Sequence, residues 1–461
     1  MQVYGLNIEL KNIPSLDKGY IPMAAFCRAF EKSAANGKDI VIAVERSRGC
    51  ISRRACKIHG TPEMAQADKV YVERMVKMLL WAYGGFKIYV CGDDELAKYI
   101  ADTYRIGGAR EFDADFMANV YERDFEVVAL PLAEAPAEKS GAQAVGNHWE
   151  GCRIGFDAGG SDRKVSAVVD GESIYSEEVV WFPKTTEDPD YHFQGILDAM
   201  KTAASKMPRV DAIGVSSAGI YVDNRAMVAS LFLKVPKDQF DKKVKDIYIR
   251  AAKEIGDVPL QVANDGDVTA LAGAMSLNSN EILGIAMGTS EAVGYVDPDG
   301  NITGWLNELA FAPVDLQDDA MVDEWSGDKG CGVKYFSQDS VIKLAPRAGI
   351  ELDEKLSPAE KLKVVQAAMN EGSESAREIY RSIGTYLGHA LAYYNMYYSI
   401  KHVLLLGRVM SGEGGDLVIE EARRVLADEY PDIQGIQLDL PDEKFRRVGQ
   451  SAAAASLPQI G

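Results

Sequence analysis

The residues best suited to chemistry lie in two glycine-containing turns, each between strand-like segments. The first turn follows Asp157, and the second follows the segment that ends at Met287. A turn between two strands can point successive backbone N–H groups at a phosphate, and glycine lets the phosphate come close. Either turn alone is weak evidence, but together they predict a phosphate-binding site. Its residues are Asp157, Gly159, Gly160, Ser161, Gly288, Thr289 and Ser290.

A carboxylate stands just before a predicted helix, in the pair Asn264-Asp265. The pair follows the strand-like segment Val258–Val262 and precedes the helical pattern Val268–Met275. From the residues alone, two interpretations of Asp265 stay open. It could accept the proton of a hydroxyl substrate, or it could cap the helix, which is a common role for Asp at this position.

These residues need a scaffold, and the chain after residue 152 offers similar elements twice. Cys152–Asp157 begins one β-meander, and Ile282–Met287 begins another. Helical patterns and further strands follow each meander, which predicts two lobes of the α/β class. The last predicted strand, Val403–Leu406, ends in a third glycine, Gly407.

Residues 1–132 form a section of their own. Strand-like segments at Asp39–Val44, Phe86–Cys91 and Phe125–Leu130 alternate with helical patterns, of which Val70–Trp81 is the longest. This alternation predicts a small α/β domain with a parallel sheet. Residues 133–151 are rich in Ala, Pro, Gly, Ser and Glu and show no periodicity, so they are predicted to be a linker.

The composition limits the partners. The formal net charge is -19 and the sequence pI is about 4.8, so nucleic acid and anionic membranes are disfavoured. The six cysteines never form a C-x-x-C pair, which indicates free thiols in a reducing compartment. No signal peptide or apolar run of transmembrane length is present, and we expect a cytoplasmic protein.

The order of the motifs resembles the ROK family (repressor, open reading frame, kinase) of sugar kinases in the actin-like superfamily. The resemblance runs from about residue 153 to the C terminus. The corresponding segments are Asp157–Ser161, Gly214–Gly219, Asn264–Asp267, Gly288–Ser290, Asn307–Phe311, Leu387–Ala392 and Val403–Gly407.

The resemblance implies a two-lobed actin-like (ribonuclease-H-like) fold, with lobes at 152–275 and 276–461, and is compatible with a homodimer. It implies ATP-dependent phosphoryl transfer to a hydroxyl of a sugar, polyol or related small metabolite, with Asp265 as general base. Asp157 would hold Mg²⁺ directly or through water. The two turns would bind ATP together with Gly407 and Arg408. The substrate would be bound by Ser217, Gly219, Asn264 and Glu308.

The chain departs from the family pattern in four places. Phe311 replaces an expected histidine, and Ser161-Asp162-Arg163 makes the first turn slightly longer. Arg408 replaces a glycine, where it closes the pocket to a purine, stacks on the purine or is solvated. The zinc motif is reduced to Ser326–Val333 with Cys331 alone, so no structural zinc is expected. A sugar- or nucleotide-binding regulator without turnover therefore stays open as an alternative. A third alternative, an ATPase that reactivates a partner through an iron–sulfur cluster, lacks a cysteine pair to hold the cluster.

The N-terminal section weakly resembles the first domain of phosphohexomutases over Val41–Ser52, without that family's active Ser-His-Asn-Pro loop. The resemblance implies an accessory or substrate-capping domain and no mutase activity. Four arginines cluster after its first strand. They could bind a phosphate ester, or they could belong to an ordinary solvated loop. They are Arg46, Arg48, Arg53 and Arg54.

Overall fold

A computed structural model describes residues 1–140, 145–441 and 449–460. The predicted linker 133–151 and the predicted lobe 276–461 therefore each lie partly outside the described residues. Within those three ranges, no helix is both long enough and apolar enough to cross a lipid bilayer.

The N-terminal section is a four-stranded sheet with helices packed against it. Its predicted strands and helices are confirmed, but the predicted parallel sheet is wrong. Strand β3 pairs antiparallel with β4, because a short turn at residues 47–49 joins the two strands directly. Strand β3 is also antiparallel to β5 on its other side. Only β5 and β6 are parallel. The elements are β1 Gln2–Val3, β2 Leu6–Asn7, α1 Met23–Ser33, β3 Lys38–Arg46, β4 Cys50–Ile58, α2 Ala65–Tyr83, β5 Lys87–Cys91, α3 Asp94–Tyr104, α4 Glu111–Tyr121 and β6 Glu126–Leu130.

The first lobe has a five-stranded sheet in the order β13-β10-β7-β8-β9. Its central strand, β7, is antiparallel to β8 and parallel to β10. A small hairpin, β11–β12, extends from the end of β10. The elements are β7 Cys152–Ala158, β8 Asp162–Val169, β9 Glu172–Val180, α5 Pro189–Ala204, β10 Ala212–Ser217, β11 Ile220–Val222, β12 Arg225–Val228, α6 Lys237–Gln239, α7 Ile247–Ile255, β13 Leu260–Asn264 and α8 Asp265–Leu277.

The second lobe repeats this topology with the sheet order β15-β14-β16-β17. Strand β14 is antiparallel to β15 and parallel to β16, and the meander's third strand is reduced to one bridge between Val296 and Ile302. The predicted duplicated α/β arrangement is thereby confirmed. The elements are β14 Ile282–Met287, β15 Glu291–Val296, α9 Gln338–Leu344, α10 Pro358–Asn370, α11 Glu374–Tyr394, β16 His402–Leu406, α12 Glu413–Glu429, β17 Gln437–Asp439 and α13 Gln450–Ala455.

Two close backbone contacts connect the lobes. The first turn of α8 lies against β15, where a Cβ atom at Gly294 would be 2.1 Å from the carbonyl carbon of Gly266. The last helix, α13, crosses back to the sheet of the first lobe. A Cβ atom at Gly155 or Gly214 would lie 1.7 Å from a carbonyl oxygen of α13, so glycine is needed at both positions.

The N-terminal section shares a hydrophobic core with the second lobe. One continuous cluster of buried apolar residues runs from Val3 in β1 to Leu438 in β17 and includes Trp81 and Phe311, whose rings lie 4.2 Å apart. The first lobe has a separate core. The segment around Phe311 is therefore packed against α2 of the N-terminal section.

A buried network of charged side chains reinforces this contact. Asp328, in the second lobe, accepts from Arg74 at 3.0 Å, from Lys77 at 3.0 Å and from Arg110 at 2.6 Å. These cations hold the pKa of Asp328 well below its usual range, against the effect of burial. The positive charges of three cations equal the negative charges of three carboxylates in this network. Its members are Glu73, Arg74, Lys77, Arg110, Asp113 and Asp328.

We expect Asp328→Asn to lower the free energy of unfolding by about 3–5 kcal/mol, because it leaves three cations buried without their shared partner. Chemical denaturation measures this loss. The matched control is Asp238→Asn, which removes an exposed carboxylate 3.8 Å from Lys242 and should cost less than about 1 kcal/mol. Equal losses in the two variants would contradict a structural role for the network.

Candidate active site

Three strands of the first lobe end side by side and bring the predicted residues to one edge of the sheet. Ser217 at the end of β10 lies opposite Ala158 of β7 on one side and opposite Asn264 of β13 on the other. Asp157 and Asp265 lie next to these strand ends. The carboxyl ends of parallel strands are where open α/β sheets usually bind ligands.

Asp157 is a buried carboxylate at this edge. Its Oδ1 atom accepts a hydrogen bond from Ser216 at 2.9 Å. Burial raises the pKa of Asp157 to about 6; the negative charge of Asp265 adds to the rise, and the bond from Ser216 opposes it. The site therefore holds two mutually repelling carboxylates in a partly dry environment.

Asn264 is the cap of helix α8, so the interpretation of Asp265 as the cap is wrong. The Oδ1 atom of Asn264 accepts from the N–H of Gly266 at 2.7 Å, and its Nδ2 atom donates to Gly219 at 2.7 Å. Asn264 thus ties the helix start to the loop after β10. Asp265 accepts from the N–H of Gly266 through Oδ1 at 3.0 Å.

Glu308 joins this group from the second lobe. Burial raises its pKa to about 7, and the charges of Asp265 and Asp267 contribute to the rise. Its backbone N–H donates to the carbonyl of Trp81 at 2.9 Å, at the end of α2. The N-terminal section therefore helps to fix the position of Glu308.

Asp267 and Glu291 complete the set of carboxyl groups. Asp267 accepts from Asn307 at 2.8 Å and from the N–H of Tyr295 at 3.1 Å, and burial raises its pKa to about 7. Glu291 is 3% exposed, and neither of its carboxyl oxygens has a hydrogen-bond partner among the described residues. Burial, together with the charge of Glu308, raises the pKa of Glu291 well above its usual range.

The first predicted phosphate turn is braced by Trp181, whose Nε1 atom donates to the carbonyl of Gly159 at 2.8 Å. A Cβ atom at Gly159 would lie 2.6 Å from the carbonyl oxygen of Asp162, so this position requires glycine. A Cβ atom at Gly160 would lie 2.9 Å from the Nζ atom of Lys184. Lys184 thus places a positive charge beside the turn.

The second predicted turn lies at the end of β14. The Gly288 N–H donates to Ser290 at 3.0 Å, and a Cβ atom at Gly288 would meet nothing closer than 3.8 Å. Gly407, at the end of β16, has a φ of 94°, and a Cβ atom there would lie 2.3 Å from the carbonyl oxygen of Met287. The two glycines are therefore neighbours, as the predicted nucleotide site requires.

The remaining predicted residues differ in burial and in their hydrogen-bond partners. The Ser217 hydroxyl is buried and accepts from Tyr221 at 2.7 Å and from Tyr248 at 2.8 Å. Gly219 lines a pocket beside Asn264. Four predicted nucleotide-binding residues are exposed at the surface of the second lobe: Thr289, Ser290, Gly407 and Arg408.

A pocket of about 300 Å³ lies where the N-terminal section meets both lobes. We call it the junction pocket. Its lining includes the turn after β3, the hairpin β11–β12, Asn264 and Asp267 near the predicted base, and the segment 303–306. Its volume is at the lower end of the range for small-molecule sites, about 300–1,000 Å³.

The segment Ser326–Val333, which the resemblance aligns with a zinc motif, contains one cysteine in a charged environment. Cys331 is buried near Lys77 and Asp328, and burial raises the pKa of its thiol to about 12. Phe311, in place of the expected histidine, packs on Trp81. Among the described residues, no group of three or more histidine, cysteine or acidic side chains is arranged to hold a metal ion.

Sequence reasoning missed Asp267, Lys184 and Glu291. Asp267 lies in the quoted segment Asn264–Asp267, so its type and position were visible. Lys184 and Glu291 carried no such signal, because their roles follow from contacts with Gly160 and Glu308 that only the fold creates.

The buried Glu291 gives a pH-dependent prediction. In the unfolded chain it ionises near the ordinary glutamate pKa of about 4.3, whereas folding raises that pKa. The folded state therefore loses stability as pH rises from about 4 through the folded pKa. We expect Glu291→Gln to stabilise the protein by about 1–3 kcal/mol at pH 8 and by less at pH 5.

Thermal unfolding at the two pH values measures this difference. Glu63→Gln, at an exposed position, is the control and should leave the pH dependence unchanged. A Glu291→Gln curve parallel to the wild-type curve would show that Glu291 does not titrate between the two states.

Comparison with known proteins gives a consistent family assignment. Residues 153–434 match the sequence model of the ROK family. A ROK hexokinase from Thermus thermophilus covers 66% of this chain and 97% of its own, with 17% identity and a TM-score of 0.50. A ROK family transcriptional regulator, a homologue of the E. coli MLC protein, covers 67% of this chain and 79% of its own, with 17% identity and a TM-score of 0.49. No curated protein sequence matches the chain.

The family match spans more than half of the chain, and the hexokinase similarity supports the same two-lobed fold. The match begins at residue 153 and therefore leaves out the N-terminal section. The chain belongs to the ROK family, and its C-terminal two-thirds has the actin-like α/β fold predicted from the sequence.

Proposed function

We propose that this protein transfers a phosphoryl group from ATP to a hydroxyl of a sugar, polyol or related small metabolite. The observation that carries the proposal is the meeting of Asp157, Asp265 and Glu308 between two glycine turns. Adjacent strand ends bring Asp157 and Asp265 together, because Ser217 lies between Ala158 and Asn264 in the sheet, and the charge of Asp265 also raises the pKa of Glu308. This arrangement supplies a proton acceptor and two sets of backbone donors for phosphates.

Asp265 is the proposed general base. One of its oxygens is held by the N–H of Gly266, which leaves the other for a substrate hydroxyl. Burial raises the pKa of Asp265, while the Gly266 bond and the Lys184 charge oppose the rise. A carboxylate with a raised pKa is a better proton acceptor near neutral pH.

The donors for ATP come from both lobes. In the proposal, the turns at Gly159–Ser161 and Gly288–Ser290 bind the phosphates from opposite sides, and Lys184 adds a positive charge to the first turn. Asp157 suits Mg²⁺, because it is a hard oxygen ligand in an environment that disfavours an uncompensated negative charge. Asp157 would hold the ion directly or through water, and the ion would supply positive charge to the phosphates.

The nucleotide site can be tested with Gly288→Ala. The new methyl group would fit without a clash, so the fold should persist. It would stand where the phosphate must approach the backbone, and we expect the Kd for Mg²⁺-ATP to rise at least about tenfold, or about 1.4 kcal/mol. Calorimetry measures the Kd.

The control for this experiment is Gly256→Ala, in an open position after α7 where the nearest atom would be 3.7 Å away. It should bind ATP like the wild type. Unchanged affinity in Gly288→Ala would remove the second turn from the proposed phosphate site.

The proposed base can be tested with Asp265→Asn in an assay of ADP release from Mg²⁺-ATP. The panel contains sugars, polyols and their phosphates. We expect the variant to lose about 10²–10⁴-fold in kcat and to retain ATP binding. Because Asp265 must be ionised to act, wild-type kcat/KM should fall on acidification at a pH above the ordinary aspartate pKa of about 3.9.

Asp257→Asn, an exposed aspartate outside the site, is the matched control and should retain full activity. Full activity in Asp265→Asn would exclude its role as base. ATP binding without turnover on any compound would instead favour the second candidate, a ligand-binding regulator, which the engaged Ser217 and the exposed Arg408 also fit.

A further inference from the structure

Arg46 is a buried cation in the lining of the junction pocket. It is the last residue of β3 and is 7% exposed. Its Nη1 atom donates to the hydroxyl of Ser52 at 2.8 Å. Among the described residues, no carboxylate lies within ion-pair distance of its guanidinium group, although a buried charge is costly unless it is paired.

The other three arginines of the cluster have partners. Arg48 forms an ion pair with Asp223 at the pocket rim, where both side chains are at least half exposed. Arg54 pairs with Glu31 at 3.3 Å and donates to the carbonyl of Met396. Arg53 donates to the carbonyl of Pro136 at 3.1 Å. The solvated-loop interpretation is therefore wrong for Arg46, which is buried and lines a cavity.

The acidic groups of the junction pocket do not neutralise Arg46. Asp223 is engaged by Arg48. Asp267 is held by Asn307 and the N–H of Tyr295, and its pKa of about 7 leaves much of it protonated near neutral pH. In a chain with a net charge of -19, the described lining thus keeps one guanidinium group available to a ligand.

The same pocket reaches the proposed substrate site. Its lining contains Arg46 together with Gly219 and Asn264, two of the residues predicted to bind the substrate. A ligand that fills the pocket would contact the arginine and these two residues, and Asn264 directly precedes the proposed base Asp265 in the chain. Arginine suits a phosphate or carboxylate, because its planar fork can donate two parallel hydrogen bonds to either group.

We propose, on the basis of the kinase function above, that the substrate is a hydroxylated metabolite bearing an anionic group and that Arg46 binds this group. The anion is a phosphate ester or a carboxylate. The N-terminal section then contributes the residue that selects the substrate, and the two lobes contribute the residues that carry out the transfer.

The test compares compounds that share a carbon skeleton and differ in charge. The set is glucose, glucose 6-phosphate, gluconate and glucuronate, with the corresponding mannose and galactose compounds. ADP release and thermal shifts are measured with full-length wild type, Arg46→Gln and Arg46→Lys. Arg46→Gln can keep the bond to Ser52 without the charge. The control is Arg209→Gln, which removes an exposed arginine paired with Asp211.

We expect one charged compound to exceed its neutral parent in kcat/KM at least tenfold. Arg46→Gln should lower that value about a hundredfold, mainly through KM, with partial rescue in Arg46→Lys and no loss in Arg209→Gln. Preference for a 6-phosphate identifies the anion as a phosphate ester, and preference for an acid identifies it as a carboxylate.

The remaining outcomes separate this inference from the kinase function. Turnover of a neutral compound with equal losses across the set in Arg46→Gln would overturn the inference and leave the kinase function standing. Arg46-dependent thermal stabilisation by charged compounds without turnover would support the anion site while the kinase function fails. Neither turnover nor an Arg46-dependent shift, with inorganic phosphate included as a probe, would overturn the inference.

Discussion

The ion pairs around Asp328 are the interaction on which the arrangement of the site depends. They fasten α2 to the second lobe at the place where the family resemblance expects a metal motif. With α2 fixed, its terminal carbonyls hold the backbone of Asn307 and Glu308 at 2.9 Å, and Trp81 packs on Phe311. The N-terminal section thus helps to position Glu308, and the ion pairs of Asp328 hold the helix that does so.

A second constraint is the crowding of carboxyl groups in a partly dry space. Asp157, Asp267 and Glu308 all have pKa values raised by burial, so each of them gains when a cation or a hydrogen-bond donor enters. In the proposed function, Mg²⁺ and the hydrogen-bond donors of a substrate would both offset this burial cost, so the binding of one would favour the binding of the other.

The sequence predicted the parts of the site that are local. Each of these parts occupies only a few consecutive residues: Asp157 with its glycines, the pair Asn264-Asp265, and the second turn. The strands that precede them have clear apolar patterns. The sequence could not predict the positions of Lys184 and Glu291 or the hydrogen bond by which α2 holds Glu308. Each of these depends on packing between distant segments. The antiparallel sheet of the N-terminal section was missed for a different, local reason: β4 follows β3 after a short turn, but its basic residues obscure the strand pattern.

The return of α13 to the first lobe has a consequence for the order in which the chain can fold. This helix lies on Gly155 and Gly214 of the central strands, and its end is held by Arg153, whose Nη1 atom donates to Pro458 at 2.7 Å. The first lobe ends at Leu277 and α13 begins at Gln450, so the ribosome synthesises about 170 residues between them, which takes roughly 9–35 s at about 5–20 residues per second. During that time one face of the sheet lacks the helix that covers it, so the nascent lobe must wait for α13 to be synthesised or be shielded by a chaperone.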